Sequence, residues 1–204
     1  MLKTLLIDLD GVLRRWQPEN VRYAERATGL PAGTILKAAF ADDLLALAIT
    51  GRITDRVWRR RVQGGLQASF PGADVQRAVA LWSASPGEVS LETLELLRAC
   101  RQVVSVVLVT NATSRLPEDL ERLGLLGDFD AIVNSSSVGY AEPCEEIYRA
   151  ALETAGAAPH EALFIDDSAQ NVVAALELGL TGYVFDTPEG LRGTLCRVGL
   201  LEVE

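Results

Sequence analysis

Two acidic clusters carry most of the chemistry this sequence can do: Asp8-Leu9-Asp10-Gly11 near the start, and Asp166-Asp167-Ser168 far downstream. Each closes a short apolar run, Leu5-Leu6-Ile7 and Leu163-Phe164-Ile165. Acids at the mouth of a buried strand must be protonated, neutralised or bound to a cation. Either cluster alone could also be a solvated turn. A third run, Val103 to Val109, ends in Thr110-Asn111-Ala112-Thr113, and a fourth, Phe129 to Val133, ends in Asn134 and Ser135 to Ser137. Three or four carboxylates in one cleft suit a hard cation with oxygen ligands, Mg²⁺ first among them. With that charge neutralised, one aspartate is free to attack a phosphoryl group, and an acid two residues on can protonate the leaving oxygen and then activate water. The Thr110 hydroxyl and nearby backbone N–H groups would hold phosphoryl oxygens.

These residues meet only if their strands lie parallel, because the carboxyl ends then share one edge, where ligands bind in open α/β sheets. Leu5-Leu6-Ile7 has no amphipathic period and reads as a strand buried on both faces. Alternation points Asp8 and Asp10 the same way, unless the chain has begun to turn at Asp10. From about residue 20 to 84 the pattern is helical, broken at Gly29, Gly51, Gly64-Gly65 and Pro71-Gly72. That is too long for a simple βαβ crossover and reads as an inserted helical cap. From Val89 the α/β alternation resumes. A helix begins near Ser90 with Leu91, Leu94, Leu96 and Leu97 on one face. Further helices cover Pro117 to Leu123, Glu145 to Ala155 and Ser168 to Leu178, stopped by Gly124, Gly156 and Gly179. Tyr183 to Phe185 is a fifth strand, and the segment from Pro188 is weakly patterned.

The expected fold is therefore α/β: a Rossmann-like parallel-sheet core over residues 1–15 and 86–204, with a small helical-bundle cap over 16–85. At 204 residues and 49% hydrophobic content the chain can bury such a core. Its net charge of −9 argues against nucleic acid and anionic membranes as partners. An anionic substrate must then be held by local cations. The isolated Cys100, Cys144 and Cys196 and the single His160 make no zinc pattern, and cytoplasmic localisation with reduced thiols is expected. Nothing approaches the length of a membrane span.

The motifs resemble those of the haloacid dehalogenase (HAD) superfamily of phosphohydrolases, in the subgroup with a helical cap inserted after the first strand. The resemblance rests on Asp8-Leu9-Asp10-Gly11-Val12-Leu13, on Val109-Thr110-Asn111-Ala112, and on Phe164-Ile165-Asp166-Asp167-Ser168 with Asn171. Gly51-Arg52-Ile53-Thr54 followed by Trp58 also looks like the capped subgroup. It implies a Mg²⁺-dependent hydrolase of a small phosphorylated metabolite, working through an aspartyl phosphate. Asp8 would be the nucleophile and Asp10 the general acid/base. Asp8, the Asp10 carbonyl and Asp167 would hold Mg²⁺, assisted by Asp166, and Thr110, Asn111 and Arg115 would bind phosphate or substrate.

One motif departs. Pro143, Ile147 and Tyr148 fix a register in which the family's lysine, which bridges nucleophile and substrate phosphate, is Glu142. A unit charge at about 4 Å and an effective dielectric near 20 is worth about 4 kcal/mol. Three outcomes are open: Arg14, Arg15 or Arg115 substitutes for the lysine; Glu142 turns to solvent and turnover is weak; or turnover is lost and the fold serves binding or regulation. Phosphomutase is a further option, a phospho-accepting receiver domain fits poorly because of the helical insertion, and oligomeric state stays open. Core packing is expected for Trp16 and Tyr140, a solvated cap face for the cationic run Trp58-Arg59-Arg60-Arg61, a surface loop for His160, and no chemistry for Cys144.

Overall fold

In the computed structural model, which describes residues 1–202, the first strand β1 (Thr4–Ile7) is wholly buried. A two-residue strand β2 (Arg14–Arg15) follows, then five helices: α1 (Pro18–Thr28), α2 (Thr34–Ala39), α3 (Asp42–Ile49), α4 (Asp55–Ser69) and α5 (Val75–Trp82). The chain returns through β3 (Glu88–Val89) and α6 (Leu91–Cys100) to β4 (Ser105–Thr110) and α7 (Leu116–Leu123). Then come β5 (Ala131–Asn134), the single turn α8 (Ser135–Val138), α9 (Glu145–Ala155), β6 (Ala162–Asp166), α10 (Ala169–Glu177), β7 (Thr181–Val184) and α11 (Pro188–Arg197).

Five strands form one parallel sheet in the order β5-β4-β1-β6-β7. Period-2 alternation divides its side chains between two cores. Leu5, Ile7, Val106, Leu108, Leu163 and Ile165 meet α6, α7 and α11 on one face. Leu6, Val107, Val109 and Phe164 meet α9 and α10 on the other. Both faces are covered, so β1 carries no polar alternation. β1 lies between β4 and β6, which brings all three carboxyl ends together at the centre of one edge.

The helices α1 to α5 bury a separate cluster that includes Ala24, Ile35, Trp58, Val62, Leu66 and Val79. Two crossings join this unit to the sheet, and they pair: Arg14 and Arg15 of β2 lie antiparallel to Val89 and Glu88 of β3. The caps follow local chemistry. Thr54, Ser90 and Ser168 accept hydrogen bonds from the backbone N–H groups of Val57, Thr93 and Asn171, and Gly124, Gly156 and Gly179 take left-handed conformations at helix ends.

Several expectations need correcting. Leu91 is 69% exposed; the contact of α6 begins at Thr93 and Leu94. Val103 lies in a turn closed by its N–H on the Cys100 carbonyl, and sheet pairing starts only at Ser105. The weakly patterned end forms α11, whose Leu191 and Leu195 are buried. Trp16 and Tyr140 are about half exposed and are not core residues. The cationic run splits by helical phase: Trp58 is buried, Arg59 faces a cavity, and Arg60 and Arg61 are exposed. His160 is at the surface, as expected, and Cys144 is exposed as well.

Candidate functional site

Asp8 directly follows β1, and its N–H still bonds the Ile165 carbonyl of β6 at 2.9 Å. The chain then turns sharply, with Leu13 and Arg14 N–H groups returning to the Leu9 carbonyl. Asp8 and Asp10 therefore diverge. Asp8 is 8% exposed and faces Asp166 and Asp167; carboxylate oxygens of the three lie within 4.8 Å of one another. Asp10 points toward the helical unit, where Arg14 grips it through Nε at 2.6 Å and a second nitrogen at 2.8 Å.

Asp166 closes β6. One oxygen accepts from the Ser168 N–H at 2.6 Å and the other from the Asn171 amide at 2.9 Å. Asp167 is exposed and lies under the loop after β1. Gly11 is required there: its φ is +81°, and a Cβ would fall 2.0 Å from the Asp167 Oδ2.

Burial pushes the Asp8 carboxyl well above its ordinary range, and the charges of Asp166 and Asp10 push it further, against the Leu9 N–H and the Thr110 hydroxyl, which favour the carboxylate. Burial also raises Asp166, opposed by its Asn171 and Ser168 hydrogen bonds, and raises Asp167, with Asp10 adding to the shift. Glu142 is 7% exposed. Burial lifts its carboxyl well above the usual range, followed by the charges of Asp8 and Asp166, and its Oε1 has no hydrogen-bond partner among the described residues. Glu142 thus does not turn to solvent. Clustered acids whose charged forms are disfavoured, one oxygen unsatisfied, are a donor set that fits a hard divalent cation.

The candidate cations lie elsewhere. Arg14 is buried between Asp10 and Asp119, 3.5 Å from the latter. Arg115 lies 3.0 Å from Asp119, a charge contact without hydrogen-bond alignment, and donates to the Ser83 carbonyl at 2.8 Å. Arg15 is exposed. Lys3 pairs with Glu161 and Lys37 is exposed. The charged neighbours acting most on Asp8 and Glu142 are all acids.

Asn111, expected to bind phosphate or substrate, lines the cavity and holds the main chain of residue 142. Its side-chain oxygen accepts from the Glu142 N–H at 2.8 Å and its nitrogen donates to the Glu142 carbonyl at 3.1 Å. Ser135 likewise serves the loop after β4, accepting from the Ala112 N–H at 3.1 Å. Thr110 is 1% exposed beside Asp8.

Sequence reading missed Asp55. Its N–H donates to the Ser114 hydroxyl at 3.0 Å, its carboxylate accepts from Thr113 at 3.2 Å, and it pairs with Arg59. This ties the start of α4 to the loop after β4. Nearby, Gly51 presses on the Ser136 carbonyl so closely that a Cβ would sit 2.0 Å from it. A cavity of about 400 Å³ lies between the helical unit and the sheet, with Asp10, Asn111 and Thr113 among its lining residues.

The chain is 26% identical over 212 residues to bifunctional epoxide hydrolase 2 of Rattus norvegicus, covering 94% of this chain and 38% of that protein. It is 32% identical over 158 residues to the pyrimidine 5'-nucleotidase YjjG of Escherichia coli, covering 72% and 66%. The chain thus spans about two fifths of the rat relative and about two thirds of the bacterial one. A HAD family enzyme of Bacteroides thetaiotaomicron, solved in complex with magnesium and inorganic phosphate, shares the fold with a TM-score of 0.74 at 24% identity, covering 91% of this chain and 95% of that one. Residues 2–179 match the family described as haloacid dehalogenase-like hydrolase. This chain belongs to the haloacid dehalogenase-like hydrolases.

Proposed function

We propose that the protein is a Mg²⁺-dependent hydrolase of a small phosphate ester, with residues 1–15 and 86–204 as its catalytic core and 16–85 as a cap over the substrate. The observation carrying this reading is the convergence of Asp8, Asp166 and Asp167 oxygens within 4.8 Å at the carboxyl edge of the sheet. Asp8 and Asp167, with the Asp10 carbonyl and with Asp166 assisting, would hold Mg²⁺. When bound, the ion supplies charge neutralisation among the acids and polarises a phosphoryl oxygen. An Asp8 oxygen attacks phosphorus as the bond to the ester oxygen breaks, and Asp10 gives that oxygen its proton. Asp10 then takes a proton from water, which attacks the aspartyl phosphate, breaks its P–O bond, and frees phosphate and the Asp8 carboxylate. Thr110 lies beside Asp8 and would steady the phosphoryl group. Similarity to a nucleotidase supports a phosphate monoester as substrate.

A second reading is favoured by one observation: the buried, unpartnered Glu142 beside Asp8. It replaces an attraction for substrate phosphate by a repulsion, so the same site would bind ligand with little turnover. Steady-state hydrolysis of p-nitrophenyl phosphate with Mg²⁺ separates the two. For the enzyme, Asp8→Asn lowers kcat on the order of 10³-fold or more. Activity that Asp8→Asn leaves untouched rules out the nucleophile assignment.

A further inference from the structure

The cavity between the helical unit and the sheet is within the range that holds a small ligand. Asp10, Asn111 and Thr113 line it on the sheet side, and these residues follow closely on the carboxyl ends of β1 and β4, where Asp8 and Thr110 lie. Across from them its wall includes Leu36, Phe40, Leu45, Ile49 and Trp58. The one polar atom of the Trp58 side chain, Nε1, is spent on the Ala39 carbonyl at 3.1 Å, and its ring meets Trp82 edge to face at 5.4 Å. Trp58 therefore offers the cavity only carbon. Leu36 and Phe40 are 36% and 51% exposed, large apolar surfaces left facing this space.

The charged residues lining the cavity are matched within the chain. Arg14 is held by Asp10, Arg59 by Asp55, and Arg115 lies against Asp119. A second phosphate or a carboxylate on the ligand would have to break one of these pairs to find a cation. The lining also holds Gln17, Asn20, Ser83 and Ser85. A polyhydroxylated group seated against the part formed by Leu36, Phe40 and Trp58 would nonetheless give up water for a surface that returns no side-chain hydrogen bond.

We propose that the cavity receives an uncharged, predominantly apolar leaving group, so that the substrate class is an alkyl or aryl monophosphate and not a sugar phosphate or a bisphosphate. This rests on the reading of Asp8 as nucleophile toward a phosphate monoester. The apolar group occupies the space bounded by Leu36, Phe40 and Trp58, with the phosphoryl group at Asp8.

The test has a binding arm that needs no turnover. Alkylphosphonates of two to eight carbons are titrated into the full chain with Mg²⁺ present, read by tryptophan fluorescence and by calorimetry. Affinity should rise about three- to fourfold per added methylene until the cavity is filled. Ribose 5-phosphate should bind at least about tenfold more weakly than octylphosphonate. Phe40→Asn and Leu36→Asn, both at exposed positions where folding is not at stake, should each flatten the length dependence. A flat series in the wild type, or tighter binding of the sugar phosphate, overturns the assignment. The turnover arm measures kcat/KM for the matching alkyl phosphates. Asp8-dependent hydrolysis with no length dependence removes the apolar assignment alone. Length-dependent binding without Asp8-dependent hydrolysis removes the phosphatase reading and leaves the cavity assignment standing.

Discussion

Two groups of acids lie close together in this molecule and are treated in opposite ways. Toward the helical unit, Asp10, Asp55 and Asp119 each lie against an arginine. Toward the sheet edge, Asp8, Asp166, Asp167 and Glu142 crowd one another, and the strongest charges acting on Asp8 and Glu142 are negative. The first group has its cations within the chain, although Asp119 Oδ1 and Arg115 Nε make no hydrogen bond. The second is held together against its own repulsion by β1, β4 and β6, and its charge is left for something else to neutralise. Acids matched by the chain's own cations are fixed in place, Asp10 among them as the proposed general acid/base, whereas acids gathered without them form a candidate cation site.

The sharpest way to disturb the unmatched group is Glu142→Lys. If the glutamate impairs turnover, this reversal of charge should raise kcat/KM for p-nitrophenyl phosphate by about two decades, the residue of about 4 kcal/mol after relaxation. No gain would show that position 142 does not face the reacting phosphate. On the matched side, Arg14→Met strips Asp10 and Asp119 of a shared partner. Chemical denaturation should show a loss of about 2 kcal/mol, reduced from the value for a fully buried pair because Asp10 is partly exposed.

A smaller effect tests the unmatched side again, without metal. The folded-state carboxyl of Glu142 is raised, so over the interval above the ordinary glutamate range the folded chain holds a proton that the unfolded chain has released. Stability therefore falls as pH rises through that interval. In EDTA, Glu142→Gln should be more stable than the wild type by about 1–2 kcal/mol at pH 7, a gain that shrinks toward pH 4. Thermal melts of both proteins across this range check it; a constant difference would contradict the assignment. Smallest of all, Arg60→Ala on the exposed side of α4 should change stability by less than about 0.5 kcal/mol, whereas Arg59 next to it is held by Asp55.

The strands that position the site were legible because runs buried on both faces leave an unbroken apolar signature, and each ends at a polar residue. Asp8 and the Asp166-Asp167 pair could be found that way. The turn that separates Asp10 from Asp8 could not, since it depends on Arg14 folding back, four residues on. Strands β2 and β3, two residues each, are too short to show any period. Asp55 is an ordinary acid at the start of a helix until Thr113 and Ser114 arrive from elsewhere in the chain. Asn111 stands out in sequence only by its place after Thr110, and its grip on the main chain of residue 142 leaves no trace there.

That amide has a consequence for position 142. Asn111 reads only the N–H and C=O of residue 142, and Tyr148 anchors the neighbouring helix by donating to the Asn171 carbonyl at 3.0 Å. Neither contact depends on which side chain residue 142 carries. The loop is therefore a socket whose fitting is interchangeable: a lysine, a glutamine or a glutamate can be seated beside Asp8 without re-registering the backbone. A single codon can reset the charge beside Asp8 while the backbone contacts that hold the loop stay the same.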